Sequence, residues 1–95
     1  MKRIIAGKKY DTETAKKLHE IRGDGEFGAF VERLYIKKTG EYFLSCIGAK
    51  YQITEEYDYT DIPAIYPLSE EQAKYWGEKW MDADKYEEIF GEVEE

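Results

Sequence analysis

The sequence predicts a small α+β domain: an antiparallel sheet built on a central β-hairpin at about residues 31–47, with one N-terminal helix and a C-terminal helical pair. Three observations carry that expectation. The stretch VERLYIKKTGEYFLSCI alternates in character and is broken once, at Lys38-Thr39-Gly40. The stretch Leu68-Ser69-Glu70-Glu71-Gln72 has the signature of a helix start. The chain has 95 residues, 42 % of them hydrophobic and 16 % aromatic, which is enough for one modest core and no second one. The whole chain, 1–95, therefore reads as a single domain, with residues 92–95 as a frayed acidic tail.

The hairpin comes first because the rest needs it as a floor. A three-residue loop runs as a type I turn followed by one residue in the left-handed region, which Gly40 adopts without a Cβ clash. That loop sets Lys37 opposite Glu41, Ile36 opposite Tyr42, Tyr35 opposite Phe43, Leu34 opposite Leu44 and Val31 opposite Ile47. One face then carries Leu34, Ile36, Tyr42, Leu44 and Cys46, and opposite charges meet beside the turn. The other face carries Val31, Arg33, Tyr35, Phe43, Ser45 and Ile47. It is amphipathic, so it is either partly covered or a contact surface.

Taken in order, Lys2 to Ile5 reads as a strand, Ala6-Gly7 as a turn and Lys8 to Tyr10 as the returning strand. Asp11 or Thr12 is placed to cap a helix running to about Arg22, with Ala15, Leu18 and Ile21 as a narrow apolar stripe and Gly23 as its stop. His19 sits beside that stripe, as a surface or boundary residue. Arg22 to Gly28, RGDGEFG, reads as a flexible loop, and its Arg-Gly-Asp triplet as chance. Gly48-Ala49 reads as a break. Lys50 to Tyr59 reads as a short strand leading into an acidic, Tyr-rich loop. Ile62 to Leu68 contains two prolines and reads as an edge strand or an extended segment. Ser69 caps the next helix, which runs to about Trp80 with Ala73, Trp76 and Trp80 inward. Asp82 caps a last helix, Ala83 to Phe90, ended by Gly91.

Several function classes are excluded or disfavoured at this level. No run of about 18 apolar residues is present, so no transmembrane helix is expected. The Met-Lys-Arg opening lacks the apolar stretch of a secretory signal, so a cytoplasmic location is expected. The single Cys46 falls in a strand and reads as a buried thiol. One His and one Cys leave no nucleophile–base pair with a recognisable spacing. Asp82, Asp84, Glu87 and Glu88 resemble a fragment of a calcium loop but lack its glycine and terminal glutamate; an acid-rich helix N-terminus explains them. No catalytic residue, metal site or cofactor is assigned, and the chain is not expected to be an enzyme.

Charge is the better lead. Residues 1–50 hold eleven Lys/Arg and seven Asp/Glu, a balance of +4. Residues 51–95 hold three Lys and fourteen Asp/Glu, a balance of −11. Such asymmetry is a partner signal, or else simply a solubilising acidic half. As a partner surface it would comprise Glu55, Glu56, Asp58, Asp61, Glu70, Glu71, Glu78, Asp82, Asp84, Glu87 and Glu88. Tyr51, Tyr57 and Tyr59 would add contact area. DNA presents one negative charge about every 1.7 Å of duplex axis. Carboxylates at similar density can occupy a Lys/Arg-lined groove built for nucleic acid.

Four quoted segments also carry a resemblance. RIIAGKKYDTETAKKL, ERLYIKKTGEYFL, IYPLSEEQAKYW and the closing IFGEVEE look like a family of small proteins from Firmicutes mobile elements. That family opens I-I-x-G-K-x-Y-D-T-E-T-A, has an LY-x-K-K-x-G-x-Y-F-L hairpin and starts a helix at PL-[ST]-x-E-E-A. Its Gly-rich stretch after the hairpin is replaced here by Ser45 to Asp61. The resemblance covers both ends and the middle of the chain. It implies a plasmid- or phage-borne accessory protein, similar in kind to anti-CRISPR inhibitors, and identifies no functional residue.

The reading that follows is a protein inhibitor of a host nucleic-acid-handling defence enzyme, most sharply a type II effector nuclease or its guide complex. In it the acidic half acts as a DNA mimic and the chain touches no nucleic acid itself. A second reading is a nucleic-acid-binding module using Lys8, Lys9, Lys16, Lys17, Lys37 and Lys38. A third is a homodimeric interaction domain joined through the Tyr35/Phe43 face. Monomer and homodimer both remain open.

Overall fold

The computed structural model describes residues 1–25, 28–49 and 59–95. Two sheets and two helices make up the domain. The strands are β1 (Lys2–Ile5), β2 (Lys8–Asp11), β3 (Lys16–Gly25), β4 (Gly28–Ile36), β5 (Tyr42–Ala49) and β6 (Tyr59–Leu68). The helices are α1 (Glu70–Trp80) and α2 (Ala83–Phe90). β1 and β2 form a two-stranded antiparallel sheet, and β3-β4-β5-β6 form a four-stranded antiparallel meander. The result is still α+β but mostly sheet, and the expected layout is wrong in one large respect.

The expected N-terminal helix does not exist. Asp11 does begin the local structure foreseen for it: its Oδ1 accepts the Glu13 N–H at 2.9 Å and its carbonyl accepts the Ala15 N–H at 3.0 Å. One turn is completed, and the chain then leaves as β3 and pairs along the whole of β4. Two physical terms decide this. As a helix, the segment buries only a narrow stripe of Ala15, Leu18 and Ile21. As a strand, it places His19 and Ile21 on the core face and Glu20 and Arg22 on the other, and it pairs the free edge of β4. The irregularity between Lys17 and His19 admits Leu18 as an extra residue, which also reaches the core. Arg22 to Gly25, expected in a loop, are the end of β3; Glu26 and Phe27 lie outside the described residues.

The central hairpin has the expected register. Val31 faces Ile47, Leu34 faces Leu44, Tyr35 faces Phe43 and Ile36 faces Tyr42. Gly40 has φ +91°, and the Lys37 N–H donates to the Glu41 carbonyl at 2.8 Å. The break expected at Gly48-Ala49 is instead a bulge within β5. The register with β6 shifts between Cys46 and Gly48, and Gly48 takes φ +92° with its Cα against Ala29 and Phe30 of β4. β6 lies at one edge of the sheet and carries Pro63 and Pro67; β3 is the opposite edge and carries none.

The alternation of β4 and β5 sends side chains to two separate cores. On one face Leu34, Leu44, Cys46 and Leu68 pack beneath Ala73 and Trp76 of α1. On the other, Tyr35, Phe43 and Ile65 pack beneath Tyr10 of β2. Tyr35 stacks on Phe43 at 5.0 Å between ring centroids, and Tyr10 meets Phe43 edge-on at 5.6 Å. The amphipathic face is therefore partly covered, by the β1–β2 hairpin. The molecule has three layers: helices, four-stranded sheet and hairpin.

Candidate functional site

The helical layer is fixed by local signals and by one large anchor. Ser69 Oγ accepts the Gln72 N–H at 3.1 Å, and Gln72 Oε1 accepts the Ser69 N–H at 2.9 Å, a complete capping box. Trp76 is fully buried, with Ala73 and Gly77 on the same side of α1. That anchoring turns Glu70, Glu71 and Glu78 outward, where all are exposed. Asp82 Oδ1 accepts the Lys85 N–H at 2.8 Å and starts α2, leaving Asp84 and Glu88 exposed on it. From Glu70 to Glu95 the chain holds ten carboxylates against three lysines, all in the helical layer and its tail.

The carboxylates differ in what they already do. Asp82 caps a helix and Glu87 accepts the Val93 N–H at 3.1 Å. Glu70 lies 3.4 Å from Lys74, and Glu88 lies 3.9 Å from Lys85. Glu71, Glu78 and Asp84 have no hydrogen-bond or ion partner among the described residues. Between α1, α2 and the tail runs a groove of about 410 Å³, floored by Met81, Ala83, Tyr86 and Val93 and rimmed by Glu78 and Glu87. Such a groove suits a Lys or Arg side chain, whose stem is apolar and whose head is cationic. The acid-rich segment 82–88 is helix with its own capping role. Among the described residues no group of His, Cys, Asp and Glu is arranged to hold a metal ion.

The ion pairs between described residues keep to their own half of the chain. Lys8 and Lys37 share Glu41 at 3.1 and 3.2 Å. Lys17, Arg22 and Arg33 share Glu20. Lys74 and Lys85 pair within the helices. These partners hold the Glu41 carboxyl below its ordinary range, and the Arg33 and Arg22 hydrogen bonds bring Glu20 down to about 2. Among these pairs, no lysine or arginine of the front half quenches a helical carboxylate. Of the other expected acidic residues, Glu55, Glu56 and Asp58 lie outside the described residues, as do Tyr51 and Tyr57; Tyr59 and Asp61 belong to β6.

The expected basic residues spread over the opposite side and one end. Lys8 and Lys9 are on β2, Lys16 and Lys17 open β3, and Lys37 and Lys38 lie at the β4–β5 turn. Lys16, Lys37 and Lys38 line a common hollow with Thr14, Ala15 and Ile36. Lys37 also rests over the Tyr10 ring, 4.2 Å from its centroid.

One unusual group is absent from every list drawn from the sequence. Glu32 is 3 % exposed, at the interface of β4 and α1, and its Oε1 accepts the Trp76 Nε1–H at 3.0 Å. Burial raises its carboxyl to about 7, against the opposing pull of the Trp76 hydrogen bond and the charge of Lys79. Trp76 in turn meets the His19 ring edge-on at 5.8 Å. The signal was available: Glu32 shares the period-2 face of Leu34 and Ile36. Cys46 is buried as expected and is not in a disulfide. No helix among the described residues is long and apolar enough to cross a membrane.

No family model, curated protein or solved structure matches this chain. The likeness to mobile-element proteins rests on the quoted motifs alone.

Proposed function

We propose that the protein acts by binding another protein through its acidic helical layer, occupying a Lys/Arg-lined surface that otherwise receives nucleic acid. The observation that supports this most is the division of charge between layers: outward carboxylates on α1 and α2, with the neighbouring cations of the sheet engaged by sheet carboxylates. Glu71, Glu78 and Asp84 are the residues with charge to offer, and the Glu78/Glu87 groove offers a socket for one basic side chain. The sharpest form of the reading, which comes from the resemblance, is inhibition of a type II CRISPR effector nuclease by a mobile-element accessory protein.

The test is titration of the purified nuclease, with and without guide RNA, against the wild type and against a Glu71→Gln/Glu78→Gln/Asp84→Asn variant. None of the three residues caps a helix, so folding should be unchanged by circular dichroism. The expected result is a complex whose association slows as salt rises, and an affinity at least tenfold lower in the variant. Wild-type affinity in the triple variant would overturn the acidic-face reading. Failure to bind any such nuclease would overturn the choice of partner.

A further inference from the structure

We infer that the sheet face opposite the helices carries a contact surface for the phosphodiester backbone of a nucleic acid, made by Lys17, Arg22 and Arg33 around Glu20. This stands apart from the acidic-face reading and concerns the other side of the molecule. Arg22 Nε donates to Glu20 Oε2 at 2.9 Å, Arg33 Nε donates to Glu20 Oε1, and Lys17 Nζ lies 3.4 Å from Oε1. Three cations therefore share one carboxylate, leaving a local charge of +2.

Both arginines engage Glu20 through Nε. Their terminal Nη groups have no partner among the described residues. One carboxylate thus fixes the planes of two guanidinium forks on adjacent strands while their strongest anion-binding ends stay available. Pre-oriented forks lose less entropy when they grip phosphate oxygens. Arg22 and Lys17 keep 66 % and 51 % of their side-chain surface exposed, so access is open.

The shape favours a polymer over a single small anion. Lys17 and Arg22 are on one strand, about 16 Å apart at roughly 3.3 Å per residue, with Arg33 beside Glu20 between them. A regularly charged backbone meets all three at once, and an isolated phosphate meets one or two. The net charge of −7 does not oppose this strongly. The helical carboxylates lie beyond the sheet, at about or past the screening length of roughly 8 Å at physiological salt.

Fluorescence anisotropy of the full chain with a labelled single-stranded RNA, a labelled DNA duplex and labelled poly-L-glutamate tests the proposal. At low salt we expect one or both nucleic acids to bind, with affinity falling linearly on a log–log plot against salt, and poly-L-glutamate to bind at least tenfold more weakly. Arg22→Gln should weaken nucleic-acid binding several-fold and reduce the salt slope by about one. Arg22 is exposed, so its replacement leaves the fold intact; unchanged tryptophan fluorescence checks this. Glu71→Gln, on the far side, should bind as the wild type does. Absence of nucleic-acid binding, equal binding of poly-L-glutamate, or wild-type affinity in Arg22→Gln would each overturn the proposal.

Discussion

Glu32 is the residue whose environment is most at odds with its chemistry. A carboxyl raised to about 7 in the folded state and near 4.5 in the unfolded chain favours folding when protonated. Its contribution is fully present below about pH 4.5, declines as pH rises, and is lost by passage through pH 7. Glu32→Gln keeps an acceptor for the Trp76 Nε1–H and removes the charge. The variant should match the wild type near pH 4.5 and exceed it at pH 8, by up to about 3 kcal/mol. Urea titrations of both proteins at the two pH values measure this; equal differences at both would show that Glu32 titrates normally. Backbone constraints make a second contrast. A Cβ on Gly48 would collide with the Ala29 carbonyl oxygen at φ +92°, whereas one on Gly40 at φ +91° meets nothing within 4 Å. Gly48→Ala should therefore cost at least about 2–3 kcal/mol and Gly40→Ala about 1 kcal/mol in the same assay. Gly40 is legible as a turn residue because Lys38-Thr39-Gly40 breaks an alternating run. Gly48 is not, because the atoms that require it belong to another strand.

At the level of elements, what is local was legible and what is shared was not. α1 and α2 begin at Ser69 and Asp82 because each side chain satisfies an amide of its own first turn. The β4–β5 register follows from a loop of known length. β3 is different. Residues 11–22 hold a cap, a stop and an apolar stripe, and only the unpaired edge of β4 decides against a helix. Alternation from His19 to Gly23 was the available hint. Ser69→Ala removes one arm of the capping box, and should lower stability by about 1 kcal/mol in thermal or chemical unfolding. Because Trp76, not the cap, anchors α1 to the sheet, helix content in the folded protein should be unchanged.

At the scale of the whole molecule, the sheet separates two cores and two charge regimes. The alternation of β4 and β5 dictated both, since each strand sends one face toward the helices and one toward β1–β2. The division of charge between halves was visible in composition, but its spatial form depended on which layer each half joined. Helices took the acids to one side, and conversion of the first half to strands put Arg22 and Arg33 on the other. The two margins of the sheet are unequal as well: β6 has two imino positions and β3 has none. Any second copy adding to the sheet does so more readily along β3. A pair joined β3 to β3 would then present only β6 margins to the outside, each missing two amide hydrogens. Strand-by-strand growth of this protein into fibres would accordingly stall at two copies.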